Sequence, residues 1–354
     1  MKSPKDAVES HVIAERDLQS QRKLKIAEER LKVESAKLKA SEKEVEGLNK
    51  RVEFFAGIES ASPALWKPKT VGKNSQATAI ILLSDLHVEE GVDPKKVNWL
   101  NEYNLEIADR SLKEVFQRAL KLLEHERHLA NIKSAVLWIG GDQISGFIHP
   151  ELMEGNSLSP LSACRWVKER LLSGIKFLLD NAGLDELKII TSYGNHGRST
   201  EKRRIATGAA NSFEYDMYLS MRESIQHKNL SWQIGDGYLN YIHVHDYLCR
   251  FHHGDAMKYH GAIGGITTTV EKAIRAWDQQ MKADYSFSGH FHQFMAAPHW
   301  VSNGSLIGYS PFGIEIKCEF EEPCQAFCVI DKDRGMTVVK KIFCRPPYRK
   351  IKTT

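Results

Sequence analysis

An α/β layered fold is the prediction, and three observations carry it. Short apolar runs at 80–83, 135–139 and 187–191 have the length and polar boundaries of buried strands. Helical patterns over 103–129 and 160–181 separate them, which gives the strand–helix–strand–helix–strand rhythm of a layered sheet. Each run also stops abruptly at a polar motif, where open α/β sheets usually place their ligands.

The elements follow in order. Residues 6–56 contain no proline, one glycine (Gly47) and dense alternating charge, which predicts a long helix. Leu24, Leu31, Leu38, Val45 and Val52 recur every seven residues, as one column of a coiled-coil seam would. The second column is poor: Ala27, Glu34, Ser41 and Leu48. Two readings therefore stand, a homodimer through this helix and a helix docking a narrow stripe on its own domain. Two prolines and two glycines in 57–76 predict a linker. The globular domain is expected over 77–345, with a basic tail at 346–354. Beyond the third strand come a helix near 211–225, an antiparallel hairpin of 238–245 and 247–252, a helix near 266–282, and strands at 285–288, 326–330 and 336–342.

Composition bounds the function. With 354 residues, 42% hydrophobic and 27% charged, the chain has ordinary globular character. A net charge of +4 permits a polyanionic partner without requiring one. No apolar run approaches the roughly 18 residues that cross a bilayer, and the start is charged from Lys2 onward without the apolar core of a signal peptide. A soluble, cytoplasmic protein is expected. The six cysteines include no CxxC pair, and the spacing of Cys318, Cys324 and Cys328 matches no common zinc knuckle, so buried free thiols are expected.

Chemistry enters with five islands after strands: Asp85 and His87; Asp142; Asn195 and His196; His253; His290 and His292. In extended backbone residues i and i+2 share a side, which would set Asp85 beside His87. Asp, His and one amide oxygen suit Mn²⁺, Fe or Zn²⁺ better than Ca²⁺, which prefers cages of oxygen. Seven candidate ligands are enough for two ions and too many for one.

In this order, DxH, GD, GNH, HG and GHxH, the motifs resemble those of the calcineurin-like metallophosphoesterase superfamily over roughly residues 78–331. The resemblance implies a four-layer α/β/β/α sandwich of two mixed sheets. It also implies two divalent ions, Mn²⁺ foremost with Fe or Zn²⁺ as alternatives. Asp85, His87 and His292 would hold the first ion, Asn195, His253 and His290 the second, and Asp142 would bridge both. His196 corresponds to the catalytic histidine, which donates a proton to the leaving alkoxide, a task suited to imidazole. Many family members carry an acid or amide three residues after the Asp of GD. Here that place is Ser145, so the partner that orients His196 is open, with His149 and Asp255 as substitutes.

A nucleic-acid phosphodiester is the favoured substrate. Arg198, Lys202, Arg203 and Arg204 put four cations in seven residues directly after Gly197, a possible phosphate track that Lys340, Lys341, Arg345, Arg349, Lys350 and Lys352 would extend. The stretches GNHGR, HHGD and GHFH, with Asn303-Gly304-Ser305-Leu306, also resemble phage-type members labelled DNA-repair exonuclease-like. A phosphomonoesterase, protein phosphatase or small-nucleotide phosphodiesterase is the alternative. A binding scaffold is third, because such scaffolds usually lose some ligands.

Overall fold

The computed structural model describes residues 4–60, 75–258 and 265–346, in two units, 1–70 and 71–354. The first unit is one helix, α1 (Pro4–Ser60). It runs through Gly57, where the sequence predicts a break. An isolated glycine costs a helix only about 1 kcal/mol, and α1 is otherwise rich in Ala, Leu, Lys and Glu. Pairs such as Lys37–Glu34 (2.9 Å) and Lys50–Glu46 (2.7 Å) brace its surface. Leu24, Leu31, Leu38, Val45 and Val52 are all exposed. Most of the expected linker, residues 61–74, lies outside the described residues.

The second unit is built on two mixed sheets. In the six-stranded sheet, β1 (Gln76–Leu83), β2 (Asn131–Ile139), β3 (Glu186–Thr191) and β4 (Leu230–Ile234) run parallel. On the other side of β1, β10 (Cys324–Asp331) and β11 (Gly335–Phe343) pair antiparallel. The five-stranded sheet has the order β5 (Asn240–Val244), β6 (Tyr247–Phe251), β7 (Tyr285–Ser288), β9 (Trp300–Ser302), β8 (Met295–Ala297), with β6, β7 and β9 parallel.

Strand alternation explains how one run serves two cores. Ala77, Ala79, Ile81 and Leu83 of β1 join the core shared with α2 (Leu105–Glu126), α4 (Pro160–Asn181) and α5 (Phe213–Ser224). Ile80 and Leu82 face the other way, with Val136, Trp138 and Ile190, onto Phe251, Phe287 and Val301 of the second sheet. Phe251 stacks on Phe287 at 4.8 Å between ring centroids. On the second sheet, Val270 and Ile274 of α6 (Gly265–Trp277) pack with Trp300.

The strands and helices sequence patterning predicts are present, with ends shifted by a few residues. Tyr238 lies outside its expected strand: its hydroxyl instead accepts from Gly254 N (3.1 Å) and Ala256 N (3.0 Å). Unpredicted are β4, β8, β9, α3 (Pro150–Gly155) and α7 (Pro311–Glu315), all six residues or shorter. The six cysteines are free, and Cys318 alone is half-buried.

Candidate metal centre

The parallel strands deliver their carboxyl ends to one place. Asp85 follows β1, Asp142 follows β2, Asn195 and His196 follow β3, His253 follows β6, and His290 and His292 follow β7. The loops are laced together by backbone bonds: Asp85 N to Gly141 O (3.0 Å), Leu86 N to Asp142 O (2.8 Å) and Gly289 N to His253 O (2.8 Å). The expected extended geometry of Asp85 and His87 does not hold. β1 ends at Leu83, and the two residues have φ of 56° and 49°. Asp142 (49°), His290 (71°) and His292 (55°) share this left-handed conformation. Such residues are uncommon and cluster at functional sites.

Two groups of ligand atoms result, Asp85, His87 and His292 in one, and Asp142, His253 and His290 in the other, each within 4.8 Å. In the first, His87 Nε2 lies 3.2 Å from His292 Nε2, which is 3.4 Å from Asp85 Oδ1. In the second, His253 Nε2 lies 2.9 Å from Asp142 Oδ2 and 3.2 Å from Asn195 Oδ1. The groups are tied together, because the Asp85 carboxylate accepts the His290 backbone N–H at 2.9 Å.

The donor set fits cations. His253 Nδ1 faces the Gly140 carbonyl at 2.8 Å and must donate to it. Its Nε2 in the neutral ring is then a bare lone pair, aimed at a carboxylate oxygen and an amide oxygen. Acceptors that converge without a donor call for a proton or a metal ion between them. Electrostatics agree. Burial opposes charge on His253 and His292, yet Asp142 and Asp85 respectively outweigh it and raise both imidazoles. Burial lowers His87, with His196 and His292 adding to the effect, and pushes His290 down to about 4. Burial alone would raise Asp142, but His253 and His196 hold it well below the usual carboxylate range.

His196 stands beside these groups, its ring 4.8 Å from that of His87. Its backbone N–H donates to Asp142 Oδ1 at 2.8 Å, and its Nδ1 donates to the Ser145 carbonyl at 3.0 Å. The Ser145 hydroxyl is engaged elsewhere, 2.9 Å from His87 Nδ1 and donating to Glu90 Oε2 at 2.7 Å. Neither substitute orienter serves: His149 is exposed at the start of α3, and Asp255 pairs with Arg203 at 2.7 Å. A main-chain carbonyl thus occupies the role expected of a side chain.

Sequence patterning missed two buried carboxylates under these loops. Glu214 of α5 accepts from Gln143 N (2.5 Å) and Gly194 N (2.8 Å), joining the loops that carry Asp142 and Asn195. Glu89 Oε1 accepts from Ser145 N (2.9 Å) and Gly146 N (2.8 Å). Burial raises both to about 7. Nothing in a sequence separates such a glutamate from a surface one.

The cations divide into two kinds. Arg198 spends all three guanidinium nitrogens on carbonyls, including Asn195 O at 2.7 Å, and so braces the loop. Arg203 pairs with Asp255 and lies over Tyr238. Lys340 pairs with Glu126, Lys341 with Glu321 (2.6 Å), and Arg345 binds Asn101 (2.9 Å). Lys202 and Arg204 are exposed with no side-chain partner among the described residues. The expected track of free cations is reduced to these two, because the others are occupied internally. Arg349, Lys350 and Lys352 of the expected tail lie outside the described residues.

No family model and no curated protein matches the chain. Solved structures similar to it include a hypothetical protein from Pyrococcus horikoshii OT3 (13% identity, 75% of this chain and 86% of that one, TM-score 0.36). Vps29 from Chaetomium thermophilum is similar at 12% identity over 75% and 96% of the two chains, TM-score 0.32. A Streptococcus pneumoniae TIGR4 protein described as a predicted phosphoesterase is similar at 13% over 75% and 97%, TM-score 0.30. Likenesses of this size do not decide a function, which rests on the site. Among the described residues no helix is long and apolar enough to cross a membrane.

Proposed function

We propose that the chain is a calcineurin-like metallophosphoesterase of four-layer α/β/β/α build, which hydrolyses phosphodiester bonds of nucleic acid with two divalent ions. One observation carries the reading: two Asp/His groups lie side by side at the ends of four strands, and His196, beyond a fifth, sets its ring against His87 of one group and its backbone N–H on Asp142 of the other. Asp85, His87 and His292 would hold one ion, His253, His290 and Asn195 the other, and Asp142 would bridge them. Ions so held supply Lewis-acid stabilisation of the phosphoryl oxygens and an attacking water of lowered pKa.

The chain's own residues do the rest. His196, with Nδ1–H committed to the Ser145 carbonyl, presents Nε2 as the one nitrogen free to carry a proton to the leaving oxygen. Asp142 takes the His196 backbone N–H on one carboxylate oxygen and faces His253 with the other, which ties the backbone of the acid to the residues that would hold the ions. Arg198 holds the Asn195 carbonyl. Lys202 and Arg204 would meet the phosphates that flank the cut bond, and kinship with the phage-type exonuclease-like members belongs to the same reading. The seven-residue spacing of exposed apolar side chains on α1 supports a homodimer through that helix.

Incubation with Mn²⁺ and, in parallel, single-stranded DNA, double-stranded DNA, bis-p-nitrophenyl phosphate and p-nitrophenyl phosphate tests the proposal. DNA and diester cleavage are expected, lost in Asp142→Ala together with the ions. In His196→Ala cleavage should fall by about 10²–10⁴ with ion content intact. Turnover of the monoester alone would overturn the nuclease reading.

A further inference from the structure

Among the described residues no acidic or amide side chain orients the His196 ring; its Nδ1–H rests on the main-chain carbonyl of Ser145. A carbonyl is only as well placed as its peptide, and the 145–146 peptide has a specific anchor. The Ser145 and Gly146 N–H groups both point at Glu89 Oε1, at 2.9 and 2.8 Å. Asn156 holds the Gly146 carbonyl from the other side at 2.8 Å. Glu89 is itself fixed, since its own carbonyl accepts from Ser157 N (2.8 Å) and Ser157 Oγ (3.0 Å). It is 1% exposed, and its Oε2 has no hydrogen-bond partner among the described residues. A buried carboxylate with an idle oxygen is costly to keep. Here its other oxygen gathers two N–H groups of the segment on which His196 leans.

We propose that Glu89 is the positioning residue of His196, acting through the Ser145–Gly146 peptide in place of the side chain that such sites usually use. The inference rests on the proposed role of His196 as proton donor. What Glu89 contributes is reach and an acceptor oxygen, both of which glutamine keeps. Aspartate keeps the charge but withdraws the acceptor by one methylene.

The test uses the full chain with Mn²⁺ and a series of aryl phosphodiesters running from p-nitrophenol to the more basic phenol as leaving group. A misplaced acid hurts the basic leaving group selectively, whereas a general loss of structure hurts the whole series alike. Glu89→Asp is expected to keep the p-nitrophenyl rate within about threefold and lose about tenfold or more on the phenyl ester. Glu89→Gln should restore the series, and Ser145→Ala, which keeps the carbonyl, should leave the leaving-group dependence as it is. A readout independent of turnover comes from the ion-free, ¹⁵N-labelled protein. The His196 Nδ1–H resonance, protected from exchange by its carbonyl partner, should persist in Glu89→Gln and broaden or vanish in Glu89→Asp.

Rescue by Asp rather than Gln would overturn the proposal in favour of a charge effect. A steepened dependence in Ser145→Ala would assign the role to the hydroxyl. The base reading fails separately: if His196→Ala leaves the leaving-group dependence unchanged, His196 is not the acid. If His196→Ala steepens it and Glu89→Asp does not, only the inference about Glu89 falls.

Discussion

Gly146→Ala separates the acid from the ions in a single substitution. Gly146 has φ +60°, and a Cβ built there lies 2.5 Å from the His196 carbonyl oxygen, closer than the 3.0 Å that real Cβ contacts keep. The obstacle is backbone, so no flexible side chain can swing aside. A non-glycine residue in the left-handed region costs roughly 1–2 kcal/mol, and forcing a methyl into a packed interior adds about 1–3 kcal/mol. The denaturant midpoint should fall accordingly. To relieve the contact, the 145–146 peptide and the His196 backbone must part by about half an ångström. A misplacement of about 1 Å costs ~10²-fold, so half of that predicts a loss on the order of tenfold in kcat. None of the seven candidate ligands lies in the contact, and Mn²⁺ content by atomic emission should stay at the wild-type value. Gly91→Ala, which meets nothing within 4 Å, is the control. Wild-type kcat in Gly146→Ala would refute the reasoning, and so would loss of ions in proportion to loss of turnover.

Other outcomes follow, from the site and from α1. Gly194→Ala drives a methyl into the Asp142 carboxylate and backbone nitrogen, so ion content measured after gel filtration should drop, the opposite signature to Gly146→Ala. In the ion-free protein Asp142 and Asp85 raise His253 and His292, so the stability those protons confer is complete below the ordinary pKa of about 6.5 and is lost as pH rises through the raised values. Ion uptake expels the same protons, and titration calorimetry in buffers of different ionisation enthalpy should show release and an affinity that strengthens with pH; a flat profile sinks it. Neutralising both Lys202 and Arg204 should reduce the slope of log affinity for duplex DNA against log salt by about 1.8, and an unchanged slope would place the phosphates elsewhere. Leu31→Glu with Leu38→Glu, in the middle of the seven-spaced column of α1, should convert the proposed homodimer into a monomer by light scattering, and a wild-type chain that is already monomeric refutes that proposal.

Much of the site was legible because each candidate ligand closes a strand that patterning could find. Asp85 follows an unbroken apolar run, and Asp142 and Asn195 follow runs that end in glycine. What stayed hidden falls into two kinds. β8 and β9 have three residues each, too short for any period to register. β4 carries an alternation in Leu230, Trp232 and Ile234, a readable signal although the strand has only five residues. The second kind is direction: the sequence names Ser145, Arg198 and Arg203 but not where they point. Patterning treats Ser145 as a hydroxyl and the arginines as free charge. Packing instead turns the hydroxyl to His87 and Glu90, gives His196 the carbonyl, and spends both guanidinium groups on the loop and on Asp255.

The left-handed residues explain how the DxH spacing brings Asp85 and His87 into one group although neither lies on a strand. Period-two alternation would pair Asp85 with His87 along a strand, yet both sit beyond β1 at φ 56° and 49°. Asp142, His290 and His292 do likewise, so five of the seven candidate ligands are held in a conformation that costs most residues roughly 1–2 kcal/mol each. Loop-to-loop backbone bonds such as Asp85 N to Gly141 O and Gly289 N to His253 O hold those turns in place. Asp and His are also among the few non-glycine types that visit this region with any frequency. The chemistry that a cation asks for and the backbone that a sharp strand exit asks for therefore select the same residues. That coincidence lets a short motif report a three-dimensional site. It also predicts that Asp85→Glu, which keeps the carboxylate but not the tolerance of the turn, should weaken ion binding more than Glu90→Asp, whose residue lies outside the left-handed set.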